Sequence, residues 1–280
     1  MPELPDVETM RRYLEATSLH EEIEQVSFDS AGYLLGEDPG PHRDAARQLK
    51  DAVRGRAFKE ASRHGKWMFV GLSDGVPPTL GLHFGMTGGL KYFRDMVDDP
   101  AYDRVRFDFA NGYHLAYVSM RKLGAVRLIE DVDRFIERKE LGPDALSAEL
   151  DLGAFRRLLT GRRAMVKALF LDQHVLAGLG NVYADEILYQ AGIHPRTKAN
   201  ELDEEDVRAL YEEMHDVLET AIKREARPSQ FPDAYLTVQR HEDGVCPRCG
   251  AELEHVKVSS RTAYYCPHCQ ERPSGHSDDL

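Results

Sequence analysis

Apolar residues at Val7, Met10 and Leu14 keep helical spacing almost from the first residue, with Asp6 and Glu8 in the turn where a helix dipole favours acids. The chain is therefore expected to start directly on a helix. From Ile23 to about Ile129 the pattern changes to short β-branched and aromatic runs, such as Trp67-Met-Phe-Val70 and Arg104-Val-Arg-Phe-Asp-Phe109, punctuated by Gly, Asn and Pro. This predicts a largely antiparallel β-domain, with Asn111-Gly112 marking a hairpin. Around Leu141-Gly-Pro143 the period switches again, and Leu146 to Glu225 predicts several helices. The last ten residues are polar with Pro, Gly and Ser, which predicts a disordered tail over 271–280. No internal repeat is present.

A length of 280 residues suits two ordinary domains or one large one, with a sizeable core. No stretch approaches a membrane span, and acids at Glu3, Asp6 and Glu8 are unlike a secretory signal, so a cytoplasmic protein with no membrane contact is expected. The formal charge of −12 argues against a phosphate-binding protein, since such binding relies on Lys and Arg. Net charge is not its distribution, however. Acids gather at Glu201 to Glu213 and at Asp278-Asp279, while basic clusters persist at Arg11-Arg12, Arg121-Lys122, Arg162-Arg163 and Lys223-Arg224. The excess of Arg (26) over Lys (10) fits either a salt-adapted surface or an Arg-rich genome.

The four cysteines all lie near the C-terminus, as Cys246-Pro-Arg-Cys249 and Cys266-Pro-His-Cys269. Two such pairs, sixteen residues apart, fit one structural Zn2+ in a four-thiolate ribbon far better than disulfides. The N-terminus has chemistry of its own. Proline at position 2 allows the initiator methionine to be trimmed, which leaves a secondary amine that titrates near neutrality. Such an amine attacks an aldehyde-like sugar carbon to give an iminium, and Glu3 is placed to move protons. Taken alone, though, Pro2 and Pro5 read first as residues that stiffen the start of a helix.

Three segments together change that weighting: Met1-Pro-Glu-Leu-Pro-Asp-Val-Glu-Thr9, Gln173-His-Val-Leu-Ala-Gly-Leu-Gly-Asn-Val-Tyr-Ala-Asp-Glu186 and Arg261-Thr-Ala-Tyr-Tyr-Cys-Pro-His-Cys-Gln270. In order and spacing they resemble the formamidopyrimidine-DNA glycosylase and endonuclease VIII family. The Pro-Glu-Leu-Pro opening is closer to the formamidopyrimidine branch. The resemblance implies an α+β chain: an N-terminal β-sandwich with its helix (1–140), a helix-two-turns-helix domain (141–230) and a zinc finger (231–270). It also implies a monomer that binds damaged double-stranded DNA, releases an oxidised or ring-opened base and then cleaves the backbone by β,δ-elimination.

The resemblance further implies that Pro2 is the nucleophile and Glu3 the acid-base residue that helps open the sugar. Lys66, in His64-Gly-Lys-Trp67, matches a β-domain lysine that contacts phosphate and assists catalysis, although an exposed strand lysine is common. Asn181 and Arg261 match phosphate-binding residues. Asn181 also reads as a helix cap, a role compatible with that contact. Met86, Arg121 and Leu123 match the side chains that fill the gap left by an everted base, with Leu123 standing where the family has phenylalanine. Met86 and Leu123 can also be read as plain core residues.

Two further departures bear on this. Ser119-Met120 stands where Asp-Pro usually precedes the loop arginine, and the stretch between Arg224 and Tyr235 is shorter than usual, where the family has a loop that closes over 8-oxoguanine. Two other classes compete with the glycosylase: a non-catalytic zinc-containing DNA-damage-binding protein of the same fold, and a zinc-ribbon protein of translation or transcription. Pro2, Glu3 and Lys66 together speak against the first, and the N-terminus against the second.

Overall fold

The computed structural model describes residues 1–29, 42–75 and 77–270, so the expected tail at 271–280 lies outside the described residues. The chain divides into two compact units, Met1–Glu140 and Leu141–Leu280.

In the first unit α1 (Leu4–Ser18) opens the chain, as expected from its spacing, and buries Leu4, Val7 and Leu14 completely. Two four-stranded antiparallel sheets follow. One has the order β1 (Ile23–Phe28), β6 (Asp103–Phe109), β7 (His114–Ser119), β5 (Gly88–Phe93); the other has β2 (Phe58–His64), β3 (Trp67–Leu72), β4 (Thr79–His83), β8 (Ala125–Ile129). Alternation along β6 explains the layering, because Val105, Phe107 and Phe109 face the core while Arg106 and Asp108 face out. Phe58 of one sheet meets Phe107 of the other edge to face, their ring centres 5.2 Å apart. The hairpin at Asn111-Gly112 joins β6 to β7 through Ala110, Asn111, Gly112 and Tyr113, with Gly112 at φ +77 and the Asn111 side chain accepting the Tyr113 N–H at 2.9 Å.

One element departs from the short strands expected in the largely antiparallel β-domain. Helix α2 (His42–Val53) interrupts it, burying Leu49 and Val53 against the same core. Its apolar positions are few and mostly alanine, too weak a signature against the β-rich stretches around it. A short helix α3 (Val132–Arg138), capped by the Asp131 carboxylate, ends the unit.

The second unit is helical, with α4 (Leu152–Leu159), α5 (Val166–Leu171), α6 (Asn181–Gln190) and α7 (Glu204–Lys223), followed by a hairpin of β9 (Glu254–Val258) and β10 (Arg261–Tyr265). Helix α7 has a full capping box from Asp203 and Asp206, so the acid run beginning near Glu201 in part starts a helix. No helix among the described residues is long and apolar enough to cross a membrane.

Candidate active site and zinc centre

Glu3 sits in extended backbone just ahead of α1 and is 1% exposed. Its N–H donates to Asp6 Oδ2 at 2.9 Å. Burial raises the pKa of the Asp6 carboxyl, while the Glu3 N–H, the charged chain terminus and Lys66 pull it back down. The terminus and Lys66 thus each act electrostatically on Asp6. Lys66 occupies the tight turn between β2 and β3 and is partly buried.

Helix α1 is anchored through its middle. Arg11 donates to the Ala61 carbonyl of β2 at 3.2 Å, and the Tyr92 N–H of β5 donates to the Tyr13 hydroxyl at 2.9 Å, so the helix is tied to both sheets. Glu8 is pushed up by burial, but hydrogen bonds from Arg11 and Arg12 and the charge of Arg63 outweigh this and bring it to about 2. It is a fixed anion that braces the helix.

Met86 lies in the turn between β4 and β5; Arg121 and Leu123 lie in the turn between β7 and β8. The two turns meet. The Arg121 N–H donates to Thr87 Oγ1 at 3.1 Å, and a Cβ added to Gly85 would stand 2.4 Å from the Leu123 carbonyl. Leu123 is 53% exposed, which is at odds with plain core packing, while Met86 is half-buried.

His83 ties the base of both turns. Its Nδ1 accepts the Gly85 N–H at 3.2 Å, and its carbonyl accepts the Tyr117 hydroxyl at 2.7 Å. Burial, then the cations Lys66, Arg127 and Lys139, lower its pKa to about 4. The ring is therefore neutral near pH 7, as an accepting Nδ1 requires. Sequence reasoning did not pick out His83 or Asp6 as site residues. Asp6 sits one helical turn from Pro2, the local signal by which it was open to detection; His83 has none.

In the second unit Asn181 begins α6, but Gly180 is the cap, its extended backbone (φ −133, ψ −160) preceding the first helical residue. The cap reading of Asn181 is thus corrected. Its side chain turns instead to the zinc hairpin and donates from Nδ2 to the Thr262 carbonyl at 2.9 Å. Arg261 adjoins that carbonyl and is exposed, at the end of a turn in which Ser259 and Ser260 both have positive φ. Asn181 is thus bonded to the residue that follows Arg261 on β10.

Behind them Lys167 and Asp185, both with 0% side-chain exposure, form an ion pair at 2.5 Å. Asp185 also receives Arg240 Nε at 2.7 Å and the Tyr264 N–H at 3.2 Å. This buried cluster locks α5, α6 and β10 to one another, and removing one partner of such a pair typically costs ~3–5 kcal/mol. It was not legible in the sequence, because its members are scattered from residue 167 to residue 264.

The four cysteine sulfurs lie within 4.8 Å of one another. Zinc–thiolate bonds of ~2.3 Å would put the sulfurs of a tetrahedron ~3.8 Å apart, and Cys246 and Cys269 are 3.8 Å apart, Cys249 and Cys266 3.5 Å. Burial works against ionising Cys246, but hydrogen bonds from the Tyr189 hydroxyl and the backbone of Cys249 and Arg248 bring it to about 6. Burial and the neighbouring thiols push Cys269 up to about 12. Four crowded thiols of this kind suit a dication that all can share as thiolates. The apolar cluster around them, Tyr189, Leu236, Cys246, Leu253 and Cys266, is too small to hold the ribbon alone. The donor set fits one structural zinc.

Family models match along the chain: the formamidopyrimidine-DNA glycosylase N-terminal domain over residues 1–126, its H2TH domain over 141–233, and the zinc finger found in FPG and IleRS over 244–272. A formamidopyrimidine-DNA glycosylase of Pelotomaculum thermopropionicum is 33% identical, over 97% of this chain and 99% of its own. This chain belongs to the formamidopyrimidine-DNA glycosylase family. A family member from Heliobacterium modesticaldum is 35% identical over 97% of this chain and all of its own. Among solved structures, the Lactococcus lactis formamidopyrimidine-DNA glycosylase non-covalently bound to DNA containing an AP site aligns with a TM-score of 0.83 and 30% identity, over 96% of this chain and all of that one. The Lactococcus lactis protein bound to DNA with an N7-benzyl-Fapy-dG aligns at 0.82 and 30% identity, over 97% and 100%. As a member of this glycosylase family the chain is a DNA glycosylase of base-excision repair, with the β-sandwich, H2TH and zinc-finger architecture expected from its motifs.

Between α7 and Tyr235 the chain is closed down tightly. Glu225 and Ala226 have positive φ, Pro228–Gln230 forms a single 3-10 turn, and the Phe231 ring packs against Tyr183 and Tyr235.

Proposed function

We propose that this glycosylase also acts as an AP lyase through Pro2 and works as a cytoplasmic monomer on damaged double-stranded DNA. The observation that carries the reading is the buried Glu3, directly after Pro2 and bonded through its N–H to Asp6, on which the chain terminus and Lys66 both act electrostatically. With Met1 removed, the Pro2 nitrogen attacks C1′ of the lesion nucleotide, the glycosidic bond breaks, and the base leaves with a proton. Glu3 supplies the proton that opens the sugar, and the result is an iminium between Pro2 and C1′. Loss of a C2′ proton then breaks the C3′–O bond, a second elimination breaks the C5′–O bond, and water releases Pro2.

Lys66 contacts phosphate on this side. Asn181 and Arg261 of the second unit do so too, a role favoured by the hydrogen bond that ties Asn181 to the Thr262 carbonyl, one residue from Arg261. Met86, Arg121 and Leu123 fill the gap left by the everted nucleotide, a role favoured by the contact between their two turns. The functional division is residues 1–140 for chemistry, 141–230 for helix-two-turns-helix binding and 231–270 for the zinc finger.

The test is trapping with borohydride on abasic duplex DNA. A covalent adduct is expected for the native chain, and none when any residue is left ahead of Pro2, because an amide nitrogen has no nucleophilic lone pair. Equal nicking by the extended protein would refute the mechanism.

A further inference from the structure

The turn between β7 and β8 carries one apolar side chain with no role so far. Met120 is 52% exposed, yet the residues on either side of it are anchored. Ser119 is 1% exposed; its N–H donates to the Tyr102 carbonyl at 3.1 Å and its carbonyl accepts Arg104 Nε at 2.9 Å. Arg121 is tied through its N–H to Thr87 on the neighbouring turn. Met120 therefore stands in water because the backbone presents it there, and not because the turn is loose.

Few large apolar side chains among the described residues are this exposed, and Met120 and Leu123 are two of them, flanking the exposed cation Arg121. Met96 and Val97 form another exposed pair, but Asp95, Asp98 and Asp99 surround them, the wrong charge for a duplex. An unbranched thioether packs adaptably on the flat face of an aromatic ring. A duplex offers such a face where a nucleotide has left the stack.

We propose that Met120 is a specificity-determining DNA contact: it packs on the base pair flanking the everted nucleotide and gives the Arg121 turn a second apolar prong beside Leu123. The inference rests on the reading of Arg121 and Leu123 as residues that enter the duplex. Because the side chain is half exposed before binding, covering the rest should strengthen binding about fivefold.

The test uses the full chain and a duplex with an uncleavable tetrahydrofuran site, with 2-aminopurine as the flanking base. Met120→Ala should weaken binding about fivefold and shift the 2-aminopurine signal, with Met120→Leu restoring both to within twofold. Its melting temperature should stay close to that of the native chain, since about half of the side chain already stands in water in the free protein. Val97→Ala, at 90% exposure, controls for loss of an exposed apolar group and should change nothing.

Native-like binding and fluorescence for Met120→Ala would overturn the proposal. So would an equal loss of affinity for undamaged duplex, which would mark an ordinary groove contact. Leu123→Ala in the same series reports on the underlying reading: if it too behaves as the native chain, the turn does not enter DNA at all, whereas a defect confined to Leu123→Ala removes only the role of Met120. Binding is read without chemistry, so the outcome stands apart from the borohydride result.

Discussion

Gly85→Ala tests whether the Met86 and Arg121 turns act as one rigid tip. Gly85 has φ +59, and a methyl group there would lie 2.4 Å from both the carbonyl carbon and the oxygen of Leu123 and 2.7 Å from the Gly124 nitrogen. Comfortable carbon contacts are ~3.5–4.0 Å, so the turns must part by roughly 1 Å. The left-handed backbone alone costs a residue with Cβ ~1–2 kcal/mol. Overpacking adds ~1–3 kcal/mol, so a total of roughly 2–5 kcal/mol is expected. For a unit of about this size that is a fall of roughly 5–15 °C in melting temperature. Gly112→Ala separates the two contributions, because Gly112 has φ +77 but a methyl group there would meet nothing within 4 Å. It should lose only the backbone part. The assay is thermal unfolding of both variants, followed by binding to a duplex with a tetrahydrofuran site. Gly85→Ala should bind more weakly than Gly112→Ala when both are fully folded. Equal melting temperatures and equal binding would refute the coupling of the two turns.

Cys266→Ser or chelation should release one zinc per chain by metal analysis and abolish DNA binding, while the β-sandwich circular-dichroism signal persists. Reduced protein that lacks zinc yet binds DNA normally would count against the centre. Asp103 is raised from 3.8 to about 6, by burial first and then by Asp99, with Arg106 opposing. Its protonated form is the one the fold favours, so its contribution to stability is complete below about pH 4 and is lost as pH rises through about 6. Asp103→Asn should therefore stabilise by about 1 kcal/mol at pH 7.5, after discounting for solvent screening, with the gain vanishing at pH 4; a gain that does not depend on pH would contradict this. The resemblance implies that the short stretch between Arg224 and Tyr235 lacks the loop that closes over an everted base, which predicts poor base discrimination. Single-turnover rates over a salt series should show robust cleavage at abasic sites, activity on ring-opened purines or oxidised pyrimidines, and comparatively slow excision of 8-oxoguanine opposite cytosine. Removal of 8-oxoguanine faster than every other base lesion would show that another segment holds that base.

What the sequence determined by itself was whatever rests on local order along the chain. The spacing of Val7, Met10 and Leu14 makes α1, alternation along β6 makes a two-faced strand, and two Cys-x-x-Cys pairs converge on one metal, because each signal is a spacing within one continuous segment of the chain. Pro2 was visible as a candidate because an N-terminal amine is a matter of position alone. Helix α2 escaped because its buried stripe is short and needs the sheet core to favour it over strand. Asn181 looked like a cap because Asn favours that position, but its amide found a better partner in the Thr262 carbonyl, which is remote in sequence. The Lys167–Asp185–Arg240 cluster, the meeting of the Met86 and Arg121 turns, and the neutral His83 that ties their bases were decided only by the tertiary structure. Burial sets the ionisation of His83 and the pairing of the buried ions, and burial is a property of how distant segments pack, which no local spacing encodes.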